Sequence, residues 1–317
     1  MAITKVSTNV VNDQVIGRKN IIINGDMKVY QRNQSRTGFT TAYKYYTADR
    51  MRFSSEGGTV GTWNQEVQTD QNIGDYSNVN VLKTTCTSAG QDFKRGVNYR
   101  IEPIDIKHMI GKTCTLSFYA KADATVTQQR AIAFISGGSL ASSVDMGDIT
   151  LTTTWTKYTA TFTMANCTDY ADMLLRVDGD TETSSYITLI QLELGSQATP
   201  FEFKKYDEEL SLCERYYQVL QNPCPRGVIA STGNPVAANR LATPLKTEMR
   251  SAPTVALSGT FNVYDGLGTG TISNVTATYS STSAIEFDSL AGFSSTAGRA
   301  CCVYNSGSYK ATAEAEL

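Results

Sequence analysis

Asp207-Glu-Glu-Leu-Ser-Leu-Cys-Glu-Arg-Tyr-Tyr-Gln218 is the one segment whose periodicity reads as a helix, and its isolation limits what the rest of the chain can become. Leu210, Cys213 and Tyr217 fall on one face at i, i+3 and i+7. Acidic residues crowd the first turn, where the helix dipole favours them, and Pro223 follows the end. Before and after it run short stretches rich in Val, Ile, Thr, Tyr and Phe, separated by Gly, Ser, Asn and Asp. The pattern predicts an all-β protein of two modules: an extended arm over 1–19, an antiparallel sandwich over 20–203, a linking helix over 204–222 and a smaller β-sandwich over 223–317.

At 317 residues the chain exceeds the roughly 100–200 residues of a single domain, so each module can bury a core without stapling. Lys and Arg total 28 against 30 Asp and Glu, a net charge of −2 without long blocks of either sign, which argues against nucleic-acid or membrane-surface binding driven by bulk charge. No apolar run reaches spanning length and the start lacks a secretory pattern, so a soluble protein assembled in a cytoplasm is expected. The seven cysteines include no CxxC, and their odd number predicts reduced, mostly buried thiols.

Asn20-Ile-Ile-Ile-Asn-Gly-Asp-Met27 is expected to form a buried strand closed by an Asn-Gly turn, continued with period two through Val29 and Gln31. Further strands are expected over 59–68, 79–85, 114–121, 130–135, 157–164, 173–177 and 186–194. Without helical patterns between them, they imply a sandwich rather than βαβ units. Behind the helix, short runs divided by Ser-Gly, Asp-Gly and Asn-Ser-Gly fit the second sandwich.

The chemistry available is narrow. His108 is the one histidine, which leaves no histidine-rich metal cluster and places it as a structural residue before a strand. GxGxxG, GxxxxGK[ST], GxSxG and HExxH are all missing, and no carboxylate pair has a spacing that marks a glycosidase dyad. No catalytic, cofactor or metal residue is therefore assigned and a non-enzymatic role is expected. For calcium, Asn24, Asp26 and Glu193 would meet if the first and last strands of the sandwich paired. Tyr43, Tyr45, Tyr46 and Trp63 are candidates for a flat sugar platform, with core filling as the alternative use of the same rings.

Asn20–Met27, Gln31-Arg32, Tyr46-Thr-Ala-Asp-Arg50, Gln191-Leu-Glu-Leu-Gly-Ser-Gln-Ala-Thr-Pro-Phe-Glu202 and Glu209-Leu-Ser-Leu-Cys-Glu-Arg-Tyr-Tyr217 resemble, in order and spacing, the signature of a family of tailed-bacteriophage virion proteins. The family is described as tail fibre or carbohydrate-binding-module-like jelly-roll proteins. Met249–Val255 and the ending Ala313–Leu317 resemble its C-terminal module. The resemblance implies a jelly-roll body, a homotrimer, a place in the virion, attachment to other tail or capsid proteins through the N-terminal arm, and adhesion to host surface glycan by a tail fibre or receptor-binding component. A capsid decoration or cement protein is the alternative, and a polysaccharide depolymerase a third. Met51 stands where the family commonly has tryptophan. Much of the signature has a structural reading of its own: Asn-Gly makes a tight turn, Asp49-Arg50 can tie a loop, and Pro200-Phe201 delivers an aromatic plug.

Overall fold

Alternating apolar and polar residues in the first unit build two antiparallel sheets that face each other across a single core. The structure is a computed structural model that describes residues 19–57, 61–88, 92–178, 182–221, 226–228, 241–259, 261–266, 269–272, 274–276, 279–287, 289–291, 299–304 and 310–317. The arm expected over 1–19 lies outside the described residues except for Lys19, as does Cys224. The chain divides into two compact units between Glu209 and Leu210.

The strands of the first unit are β1 (Ser35–Phe39), β2 (Lys44–Tyr45), β3 (Arg52–Gly57), β4 (Thr62–Asp70), β5 (Val79–Ser88), β6 (Asp92–Ile101), β7 (Thr113–Ala122), β8 (Val126–Ser136), β9 (Ser139–Asp145), β10 (Ile149–Leu151), β11 (Thr156–Thr163), β12 (Tyr170–Asp178) and β13 (Ser184–Leu194). The first sheet runs β1-β4-β5-β13-β7-β11, and the second runs β10-β8-β12-β6-β3-β2 with β9 also on β8. This is the expected all-β jelly-roll sandwich. Cys114, Leu116, Phe118, Ala120 and Ala122 of β7 face Ala171, Met173, Leu175 and Val177 of β12 in one buried cluster. Each large apolar side chain so buried contributes about 1.5–3 kcal/mol before entropy is subtracted. A short helix α1 (Pro103–Ile106) and a 3-10 turn (Lys107–Met109) join β6 to β7 and leave His108 exposed.

In the second unit β14 (Tyr217–Gln221), β15 (Thr254–Ser258) and β16 (Lys310–Glu314) form a three-stranded sheet with β16 in the middle. Leu220, Ala311 and Ala313 from it share a core with Val263, Ile285 and Cys301 of a seven-stranded sheet. The described cysteines, Cys86, Cys114, Cys167, Cys213, Cys301 and Cys302, are all free.

Two expectations are corrected. The helix α2 is Tyr206–Glu214, not a helix to Gln218. Tyr216 N–H closes on the Cys213 carbonyl at 2.9 Å, and Tyr217–Gln221 then pairs with Glu314–Lys310, so Tyr217 lies in a strand instead of on the helix face. The β-forming run Tyr-Tyr-Gln-Val-Leu there finds a partner strand, and tertiary pairing overrides local periodicity.

The second correction concerns Asn20–Met27, which is a turn rather than a strand. Its amides go to separate acceptors: Asn20 to Glu202 Oε2 at 2.8 Å, Ile21 to the Leu192 carbonyl at 3.0 Å, Ile22 to Asn20 Oδ1 at 3.0 Å and Ile23 to Tyr99 Oη at 2.8 Å. Asn24 N–H donates to Glu209 Oε1. The Asn24-Gly25 turn does form, with Asn24 at φ 61° and Met27 N–H on the Asn24 carbonyl at 3.0 Å. Strands β1, β2, β3, β6, β9 and β10 were not expected; in β3 and β6 charged residues interrupt the apolar alternation.

Gly25 is required by packing. A Cβ there would drive into the Ile190 carbonyl oxygen and come within 3.3 Å of the Phe201 ring. Gly25→Ala should lower stability by about 1–3 kcal/mol, read as a lower urea midpoint at unchanged m-value. An unchanged midpoint would show that this turn is not seated on β13.

Burial raises the pKa of Glu209, against the pull of Lys204 and the Asn24 amide. A carboxyl raised on folding contributes fully below its unfolded pKa, and that contribution is lost as pH rises through the folded value. Glu209→Gln, which keeps an acceptor for Asn24, should flatten the decline of melting temperature over that window. Parallel slopes for parent and variant would refute this assignment.

Candidate functional site

The two sheets present different outer faces. On the first, Val79 and Val81 of β5 and Tyr186 and Leu189 of β13 point away from the main core into a second cluster with Ile73, against which Tyr76, Tyr119, Trp155 and Phe201 pack. Phe203 adds to it, 4.9 Å from Phe201 and 5.6 Å from Tyr76. The chain thus covers this face with its own aromatic side chains. Beside the cover Lys83 pairs with Glu66 at 3.0 Å and Lys121 with Asp70 at 3.2 Å, while Lys157 Nζ donates to the Thr199 carbonyl at 3.3 Å.

On the second sheet, alternation turns Ala171, Met173, Leu175 and Val177 inward and leaves Tyr170, Asp172, Leu174 and Arg176 of β12 on the outer face. Register places Asp172 beside Arg100 of β6, and Asn98 of β6 beside Arg52 of β3. Gly96 lets β6 and β12 approach: at φ 153°, a Cβ there would meet the Leu175 carbonyl.

A continuous relay of contacts crosses this face. Tyr43 lies 5.1 Å from the Arg52 guanidinium, and Arg52 reaches Asp172 at 3.5 Å. Arg100 Nε donates to Asp172 Oδ1 at 3.2 Å, and the Arg100 guanidinium stacks 4.0 Å from the centre of the Tyr170 ring. Arg52 Nε also donates to Asn98 Oδ1 at 2.8 Å. Burial, and then the neighbouring Arg100, hold Arg52 below the usual guanidinium value, with Asp172 opposing them. Tyr43 is 49% exposed and sits at φ 58°, a left-handed conformation that costs a bulky side chain of order 1–3 kcal/mol. An exposed ring held at that cost marks a site where position matters.

The other sequence candidates separate. Trp63 is fully buried under the Arg95 guanidinium at 4.6 Å and fills the core, and Tyr46, half-buried, packs against the same cluster by stacking on Phe39 at 4.0 Å. Tyr45 faces Arg32 at 5.0 Å. Met51 is fully buried, so the tryptophan position of the signature faces inward here. The three calcium candidates each have protein partners of their own. Asn24 Nδ2 donates to the Val29 and Asp49 carbonyls, Asp26 pairs with Lys28 at 2.9 Å, and Glu193 accepts from Thr199 and Gln191. Among the described residues no group of three or more His, Cys, Asp or Glu is placed to hold a metal ion. Asp49 accepts from Gln31 at 2.7 Å, while Arg50 donates to the Arg100 carbonyl at 2.6 Å. The sequence reading missed Arg52, Arg100, Tyr170 and Asp172. Their signal was the polar half of two period-two strands, Asn98-x-Arg100 and Tyr170-x-Asp172.

No protein-family model matches this chain, and no curated protein matches it. Among solved structures, it is similar to the xylan-binding CBM22-1 domain of Xyn10C from Paenibacillus barcinonensis, with 17% identity over 52% of this chain and 94% of that chain at a TM-score of 0.33. A CBM4 domain gives 18% identity over 54% and 98% at 0.28. The enzymatically active domain of tailspike protein 4 from bacteriophage CBA120 gives 14% over 56% of this chain at 0.35, and this chain spans 21% of that one. The class to which the described residues assign the protein, an all-β jelly-roll protein, rests on its own strand order.

Asp70 offers a probe of the covered face. Burial alone would raise its pKa, but hydrogen bonds from Trp155 Nε1, the Asn72 amide and Lys121 outweigh it and hold the carboxyl below its ordinary value. A depressed carboxylate stabilises above its unfolded pKa, and that contribution disappears as pH falls through the folded value. Trp155 fluorescence should therefore shift on acidification below about pH 4 and lose that transition in Asp70→Asn. An identical titration in the variant would sink the assignment.

Proposed function

We propose that this chain is a non-enzymatic structural protein of a tailed-bacteriophage virion, a tail-fibre or receptor-binding component that adheres to host surface glycan through the outer face of its second sheet. The observation that carries the glycan reading is the Tyr43–Arg52–Asp172–Arg100–Tyr170 relay, which sets two rings beside fixed polar groups. Rings of this kind stack on the apolar faces of sugars while neighbouring charged and amide groups bind hydroxyls. The signature from Asn20 to Tyr217 supports the virion setting. As in proteins similar in that signature, the functional form is a homotrimer anchored to other virion proteins through its N-terminal arm. Weak contacts per subunit then become avid when several copies engage one surface.

The test is retention of the full-length protein on surface polysaccharide from susceptible bacteria. Parent protein should be retained without releasing reducing ends, and Tyr43→Ala with Tyr170→Ala should weaken retention about tenfold at unchanged melting temperature. Release of reducing ends would turn the reading to a depolymerase. Absence of retention, together with copies in proportion to capsomers in the particle, would replace it with a decoration protein.

A further inference from the structure

Charge and hydrogen-bonding capacity do not balance around Asp172. Two guanidiniums, Arg52 and Arg100, share this one carboxylate, whereas Lys83 and Lys121 on the opposite sheet each have their own. The trio carries an excess positive charge on a surface where the three side chains are only 7%, 18% and 13% exposed. Donors also outnumber acceptors. Asn98 is fully buried beside Arg52, its Oδ1 taken by Arg52 Nε, and its Nδ2 has no partner. Ser54, two residues along β3 on the same face, is fully buried with its hydroxyl unpartnered. Leaving a buried donor unmet costs of order 1–3 kcal/mol, so a cluster with surplus donors and surplus positive charge gains most from an incoming anion.

We infer that the saccharide taken by this face is an acidic one, whose carboxylate or phosphate seats on Arg52 and Arg100 while its rings lie against Tyr43 and Tyr170. This inference rests on the glycan reading above and narrows it to a substrate class. Arg100 gives up part of its hold on Asp172 to reach the ligand, because the one carboxylate it shares with Arg52 competes directly with the incoming anion. A neutral glycan would leave the excess charge and the Asn98 amide uncompensated.

The experiment is an array of bacterial polysaccharides, each printed native, after carboxyl reduction and after dephosphorylation, probed with the full-length protein. Acidic members should bind, and one of the two treatments should cut their signal by about 10-fold to 100-fold and so identify the anion. Arg100→Gln should reproduce that loss on native acidic glycan. Asp172→Asn, which removes the competing carboxylate, should strengthen binding severalfold, an outcome that a purely structural role for Asp172 would not produce, and it keeps the test decisive if Arg100→Gln does not fold. Equal signals before and after both treatments would overturn the acidic class while leaving glycan adhesion standing. No signal on any polysaccharide would overturn both.

Discussion

The fold of the first unit depends on how Asn20–Asn24 is held. An apolar triplet, Ile21-Ile22-Ile23, is brought against the main core beside β13 without forming a strand of its own, and so most of its backbone donors need side-chain partners. They are met by Glu202, Leu192, Asn20, Tyr99 and Glu209. Asn20 works in both directions: its Oδ1 accepts from Ile22 and Leu192 while its Nδ2 donates to the Ile190 carbonyl at 3.0 Å. Asn24 does the same for Val29 and Asp49. Segments far apart in sequence meet at one turn, which gives the signature residues a physical reason to occur together.

That arrangement also shapes the surfaces. Residues 199–203 lie where Phe201 and Phe203 cover the outer face of the first sheet, and Phe201 N–H donates to Tyr76 Oη at 3.1 Å. The cover satisfies Val79, Val81 and Leu189, which would otherwise be apolar and exposed. Around Arg52 and Arg100 the outer side chains of the second sheet are charged and aromatic instead. The asymmetry of the sandwich, one face closed by its own chain and the other polar, makes the second sheet the candidate for recognition.

Much of this was legible before the fold was known. Period two marked β4, β5, β7, β8, β11, β12 and β13; most ends came out short because apolar alternation fades where a strand leaves the core, while 59–68 began before β4 with 59–60 outside the described residues, and 157–164 ran one residue past β11. Asn24-Gly25 announced its turn, and Asp207–Glu214 its helix. Asn20–Met27 was misread for a reason inherent in the residues: three β-branched side chains look the same whether their backbone pairs with a strand or with scattered side-chain acceptors. Tyr217 was misread because its neighbouring strand, β16, lies almost a hundred residues away. The relay was invisible in another way, since Arg52, Arg100 and Asp172 sit in three separate strands and only register brings them together.

By itself, then, the amino-acid order determined the all-β class, the sparse helix content and the lack of any recognisable nucleotide or metal motif, since these follow from periodicity and side-chain chemistry within a few residues of each other. Tertiary structure decided that Trp63 fills the interior, that Tyr46 packs half-buried against it and that Tyr43 stands exposed. It also decided that two arginines share one aspartate. Those outcomes depend on which strands become neighbours, a property of long-range pairing that no local pattern carries.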